Sequence, residues 1–460
     1  MNIAVGAGTR SDSSGALADT TLPAVPYADI DKTHIWHPFT QMQDWVASDP
    51  LVIESGAGNW LIDTDGHRYL DGVSSLWCMV HGHRHPHIDA ALHDQLDKIS
   101  HSTLLGLTNT AIVEAAEALI EVVPAGLTRA FFSENGAAAV EVALKMAYQH
   151  WVLRGVEGRT KFVALDQAYH GDTLGAVSVG GIDEFHAAFG PLLFDALHAP
   201  TNLRGADGSY PDLLAEMEAL LAAHADQTAA VIIEPLVQGA AGMITFPDGY
   251  VAGVRELCDR YGVLLIADEV ATGFGRTGAM FACDLEGVTP DIMVVGKGIT
   301  GGYLPMSATL TTEHIYESFL AETADMRHFF HGHTYSGNPL AAAACKANLE
   351  VFENEDTIAN LAPKIDQMAT RLGKIAGLDA VAEVRVRGLM AGIELVPAGD
   401  VHGRDLPGAD VCLAARDDGV ILRPLGPVVI WMPPLSITAG EIDLLADATE
   451  AAIASLSEPR

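Results

Sequence analysis

Two charged side chains close apolar runs. Asp268 follows VLLIA, and Lys297 follows DIMVVG. Short runs rich in Val, Ile and Leu suit strands buried on both faces. In open α/β sheets ligands bind outside the carboxyl ends of the strands, so both charges are delivered to such an edge. An amine able to form a Schiff base and an acid able to pair with a pyridinium nitrogen together suit pyridoxal phosphate. Each residue alone has a plainer reading. An Asp after a strand commonly caps a helix, and a Lys in a glycine turn is commonly solvated. A phosphate loop is excluded, because Gly298 follows Lys297 where GxxxxGK[ST] requires a hydroxyl residue.

A second stretch could hold an anion. In RAFFSENGAAAVEVALKMAYQHW a strand ends at Ser133, a turn follows at Asn135-Gly136, and an Ala-rich helix begins. Gly136 lets the backbone approach a ligand, and the first N–H groups of the helix favour negative charge. A plain strand-turn-helix connection would read the same way. The run HGHRHPH alternates His81, His83, His85 and His87. No acid or cysteine completes a zinc set nearby and Pro86 breaks the run, so no metal is expected.

The elements that position these residues alternate. NWLIDTDGHRYLDG reads as a hairpin turning at Asp65-Gly66. Residues 87–100 and 110–122 carry helical patterns. KFVALDQAYHGDT is a strand running into a loop with Tyr169, His170 and Asp172, and AAVIIEP is a buried strand ending at Glu234. Helices and strands are expected to alternate on through Val263 to Lys297. Repeated βα units predict an α/β fold with a doubly wound, mainly parallel sheet. Past residue 345 the texture changes to long amphipathic helices, the strands AEVRVRG and MAGIELV, a helix near 409–418, the strand VILRPLG and a closing helix, which predicts a smaller α+β domain. The expected organisation is a disordered tail over 1–30, a segment over 31–85 that joins the small domain, a large domain over 86–345 and a C-terminal small domain over 346–460.

The 460 residues carry a net charge of −34, which argues against nucleic-acid and anionic-membrane partners. That acidity suits a high-salt cytoplasm, where a hydrated surface keeps protein in solution. Five scattered cysteines without a CxxC pair predict reduced, buried thiols rather than disulfides. The first 25 residues hold one basic residue and no apolar core, so a signal peptide is not expected there, and Glu234 and Pro235 interrupt the apolar stretch near Val231 before it could span a membrane. The expected location is cytoplasmic.

With these residues in hand, the chain from about residue 31 onward resembles the class III (ω-type) pyridoxal-phosphate aminotransferases, a fold type I family. HIWHPFTQM, DGVSSLWCMVHGH, YHGDT, IIEPLVQGAAGM, IADEVATGFGRTG, HGHTYSGNPL and RPLG carry the resemblance. It implies that Lys297 forms the Schiff base and moves the proton, that Asp268 pairs with the ring nitrogen, and that Tyr169 stacks on the ring. Gly136 and Ala137 would bind the phosphate; many members have Ser at the second position, so one hydrogen bond is missing here. Thr334, beside Gly332 and His333, would reach a phosphate in a second copy, which implies a homodimer with shared active sites. Arg423 would anchor a substrate carboxylate, and Arg276 would lie near the substrate end.

Within the family the likeness is greatest to members that convert 8-amino-7-oxononanoate to 7,8-diaminononanoate in biotin biosynthesis. The partners implied are a small amino donor and a keto acceptor, handled in turn. Members that use S-adenosylmethionine have Tyr in WHPYT and two successive Trp residues after Ser-Ser. Here Phe39 and Leu76 stand at two of those positions and only Trp77 remains. A large, aromatic, cationic donor would gain from stacking on Trp. The combination HPFTQM, HSTLLG, GKGITGGYLP and FFHGH resembles the branch that uses L-lysine. The alternative is a class III ω-aminotransferase acting on a diamine, β-alanine or 4-aminobutyrate.

Overall fold

The computed structural model describes residues 25–204, 210–396 and 407–456. The chain divides into two units, residues 1–54 and 55–460. In the first, helices Tyr27–His34 and Met42–Ala47 meet through Asp31, which accepts from the Trp45 indole at 2.7 Å and pairs with His37 Nε2 at 3.0 Å. The first helix starts within the stretch expected as a tail; residues 1–24 of that tail lie outside the described residues.

In the second unit, strands β1 (Trp60–Asp63) and β2 (Arg68–Asp71) form the expected hairpin. The main sheet contains β3 (Leu127–Ser133), β4 (Lys161–Leu165), β5 (Leu197–Ala199), β6 (Thr228–Ile233), β7 (Leu264–Asp268), β8 (Ile292–Val295) and β9 (Ser307–Thr312), in the order β3-β9-β8-β7-β6-β4-β5. Strand β9 is antiparallel to both neighbours, and the other pairs are parallel, so the sheet is mainly parallel as the sequence predicts.

Alternate residues of the central strands enter separate cores. Phe162, Ile232, Ile266 and Val294 pack with helix α1 (Gly136–Leu153), whereas Val163, Ile233, Leu265 and Val295 join the larger core on the opposite face. Burial on both faces explains why these strands read as continuous apolar runs. Their carboxyl ends share one edge; Asp268 ends β7 there, and the loops after β3, β4, β6 and β8 bring Gly136, Tyr169, Glu234 and Lys297.

Three details differ from expectation. Between β7 and β8 no α-helix forms; the connection holds only a 3₁₀ turn, Ala282–Glu286. Phe274, Gly275 and Gly278 take positive φ there, which interrupts helical hydrogen bonding. The segment VILRPLG splits at Leu422. Its first part, β12 (Val420–Ile421), pairs with β2, and its second, β13 (Arg423–Leu425), pairs with β14 (Val428–Trp431) in a sheet completed by β10 (Val381–Arg387) and β11 (Met390–Leu395). Helix α2 (Pro339–Asn354) runs through the boundary expected at 345.

Candidate active site

A cavity of about 750 Å3 opens at the shared strand edge and is lined by Leu76, Trp77, Gly136, Ala137, Tyr169, Asp268 and Lys297, seven of the residues singled out from sequence. Asp268 ends β7 and is almost fully buried. Its Oδ1 accepts from the Val270 N–H at 3.0 Å, and its Oδ2 meets His170 Nδ1 at 2.7 Å. His170 is equally buried, and its Nε2 has no partner among the described residues. The imidazole therefore orients the carboxylate, which leaves one acid fixed at the floor of the cavity. Sequence reading placed His170 in the loop but gave it no part in the site. Its position next to Tyr169, after a buried strand, was the available signal.

Lys297 follows β8 in the left-handed region, at φ 43°. Its Nζ lies 4.9 Å from the centroid of the Trp77 ring. Burial holds its amine below the usual lysine range, while the charges of Asp268 and Glu234 oppose that shift. A lowered amine pKa is what a proton-moving lysine needs. Glu234, also absent from the predicted site, is buried and accepts from the backbone N–H groups of Tyr169 and Gly239 at 3.1 and 3.0 Å. Burial pushes its carboxyl up to about 7, against the charge of His170.

The opposite wall is the start of α1. The Asn135 side chain caps Ala138 N–H at 2.9 Å, and among the described residues no protein group accepts from Gly136 or Ala137 N–H. A side chain at Gly136 would come within 2.9 Å of Val270, so only glycine lets the helix end approach so closely. Two open N–H groups at a helix start, a fixed acid and a buried amine in one cavity match the phosphate, ring nitrogen and carbonyl of pyridoxal phosphate.

The remaining predicted residues are not in that lining. Arg276 is fully buried, and its guanidinium donates to the carbonyls of Pro433 and Met79 at 2.5 and 2.8 Å; burial lowers its pKa to about 10. Two of its N–H groups are thus spent on backbone, while its charge adds to burial in lowering the pKa of the Lys297 amine. Arg423 is half-buried on β13, and its side chain makes no hydrogen bond or ion pair among the described residues; burial lowers its pKa, and the Tyr169 phenol raises it. Phe39 lies in the first unit and is 60% exposed. Gly332 and Thr334 are exposed, His101 Nε2 meets the Thr334 carbonyl at 3.0 Å, and His333 Nδ1 contacts Glu134, which lines the cavity.

The family model for class III aminotransferases matches residues 42–453. This chain belongs to the class III aminotransferases. It is therefore a pyridoxal-phosphate-dependent transaminase of fold type I. It is 52% identical to the adenosylmethionine-8-amino-7-oxononanoate aminotransferase of Nitratidesulfovibrio vulgaris, over 93% of this chain and 82% of that protein. It is 50% identical to the protein of that name from Geobacter sulfurreducens, over 92% and 96%. The crystal structure of the Methanocaldococcus jannaschii protein of that name superposes with a TM-score of 0.89 at 47% identity, covering 93% of this chain and 98% of that one. An amine transaminase from an uncultivated Pseudomonas species, solved in the PLP-bound form, gives 0.86 at 38% identity, covering 92% and 98%. No helix of the described residues is long and apolar enough to cross a membrane, and all five cysteines are free.

Proposed function

We propose that this aminotransferase converts 8-amino-7-oxononanoate to 7,8-diaminononanoate in biotin biosynthesis, in the cytoplasm, with L-lysine as amino donor. The observation that carries the acceptor is the name shared by relatives 47–52% identical over most of the chain. The donor rests on Leu76, an exposed aliphatic side chain at the cavity where the adenosylmethionine-using members present an indole. Those relatives' names favour adenosylmethionine instead, and that is the second reading. A third, an ω-aminotransferase for diamines, β-alanine or 4-aminobutyrate, draws on the likeness to an amine transaminase.

When bound, pyridoxal phosphate supplies a reactive carbonyl and an electron sink. Gly136 and Ala137 N–H groups would take its phosphate, and Tyr169 would cover its ring. Asp268, oriented by His170, would hold the ring-nitrogen proton. The Lys297 amine would carry the donor's proton from one carbon to the other as base and then acid. Arg423, beside Tyr169 and without a protein partner among the described residues, would bind the acceptor's carboxylate. Gly332, His333 and Thr334 would serve a second copy, and the exposure of Leu105 (90%) and Phe330 (69%) supports a homodimer covering that face.

The test supplies the purified holoenzyme with 8-amino-7-oxononanoate and each donor separately. Turnover with lysine supports the assignment. Turnover with adenosylmethionine and none with lysine reverses the donor, and no product with either overturns the acceptor.

A further inference from the structure

The segment that carries Leu76 and Trp77 is strained. Ser74, Ser75 and Trp77 all take positive φ, at 51°, 60° and 63°, and none is glycine. Positive φ at such residues is strained and persists only where surrounding contacts enforce it. Those contacts are specific. Asp71, at the end of β2, has no solvent exposure, and its carboxylate takes three hydrogen bonds. Oδ1 accepts from Ser75 N–H at 2.7 Å; Oδ2 accepts from the Ser75 hydroxyl at 2.9 Å and meets His83 Nε2 at 3.0 Å. The Ser74 hydroxyl donates to the Met432 carbonyl at 2.7 Å, which ties the start of the segment to the end of β14. Downstream, the buried Trp77 ring faces Lys297, and Leu76 sits 48% exposed in the cavity lining.

We propose that Asp71 is a positioning residue for the amino donor, holding Ser75 in a positive-φ turn so that Leu76 and Trp77 form the donor-facing wall. It touches no reacting atom and acts through that turn. The Ser75 N–H and hydroxyl both point back to one carboxylate, so the turn depends on an acceptor at position 71. Glycine at 75 would adopt the same φ without that help. The inference rests on the reading of Leu76 and Trp77 as the donor wall.

The experiment compares Asp71→Ala, Asp71→Ala/Ser75→Gly and Ser75→Ala with wild type. It measures kcat and KM for the donor and thermal unfolding of the apo chain. Losing the acceptor should raise donor KM on the order of tenfold, with a smaller change in kcat. Adding Ser75→Gly should bring KM back toward wild type although the carboxylate is still missing. A fall in unfolding temperature with unchanged KM, or no rescue by glycine, would make Asp71 merely structural and overturn the proposal. Where Asp71→Ala does not fold, Ser75→Ala against Ser75→Gly decides: alanine should weaken donor binding more, and equal or reversed effects refute the turn. If wild type uses neither lysine nor adenosylmethionine, the proposed donor reading fails, and that result is distinct from these.

Discussion

Asp268 and Lys297 stand at the ends of regular buried strands, whereas Leu76 and Trp77 stand on a turn with three non-glycine residues at positive φ. At the first end, sheet pairing fixes Asp268, one side-chain contact from His170 completes its orientation, and only Lys297, two residues past its strand, departs to positive φ. At the second, the backbone is held against its own preference by contacts with Asp71 and Met432. The first construction makes a rigid chemical centre that many substrates can share. The second can be re-aimed by changing a few contacts, so it is where relatives with the same chemistry can diverge in what they accept.

The largest effect expected is at the rigid end. Lys297→Ala should abolish turnover with every donor, since general acid–base catalysis alone is worth roughly 10²–10⁴-fold and the cofactor's attachment is lost with it. Absorbance of the cofactor and steady-state rates measure this together, and an active variant would remove the basis of the comparison. Arg423→Ala should act on one substrate only. It should raise KM for the keto acid by about 10- to 100-fold, the range for losing a hydrogen bond to a charged group, with the donor's KM little changed. Equal losses for donor and acceptor would mean that Arg423 shapes the cavity rather than docking a carboxylate.

The rigid end was legible from sequence because its signals are local. VLLIA before Asp268 and DIMVVG before Lys297 declare buried strands, and strand direction then puts both residues at one edge. Gly136 was equally readable, as a turn glycine before a long Ala-rich run. His170 and Glu234 were visible as polar residues beyond strands, but their partners, Asp268 and the Tyr169 backbone, are far away in the chain. Arg276 reads as a ligand-facing cation, and only the fold reveals the carbonyls of Pro433 and Met79 that occupy it. The turn at 74–77 gave no sign, because serine and tryptophan do not advertise positive φ as glycine does. The split of VILRPLG was hidden too, since both halves are strand-like and only their partners differ.

The division between a shared chemical centre and an adjustable donor wall is tested most directly by the ratio of kcat/KM for two accepted amino donors of different size. It should be measured in wild type, His170→Ala and Leu76→Trp. The account predicts that His170→Ala lowers both values by a common factor and leaves the ratio unchanged, while Leu76→Trp shifts the ratio toward the larger, aromatic donor. A ratio altered by His170→Ala, or unmoved by Leu76→Trp, would contradict it.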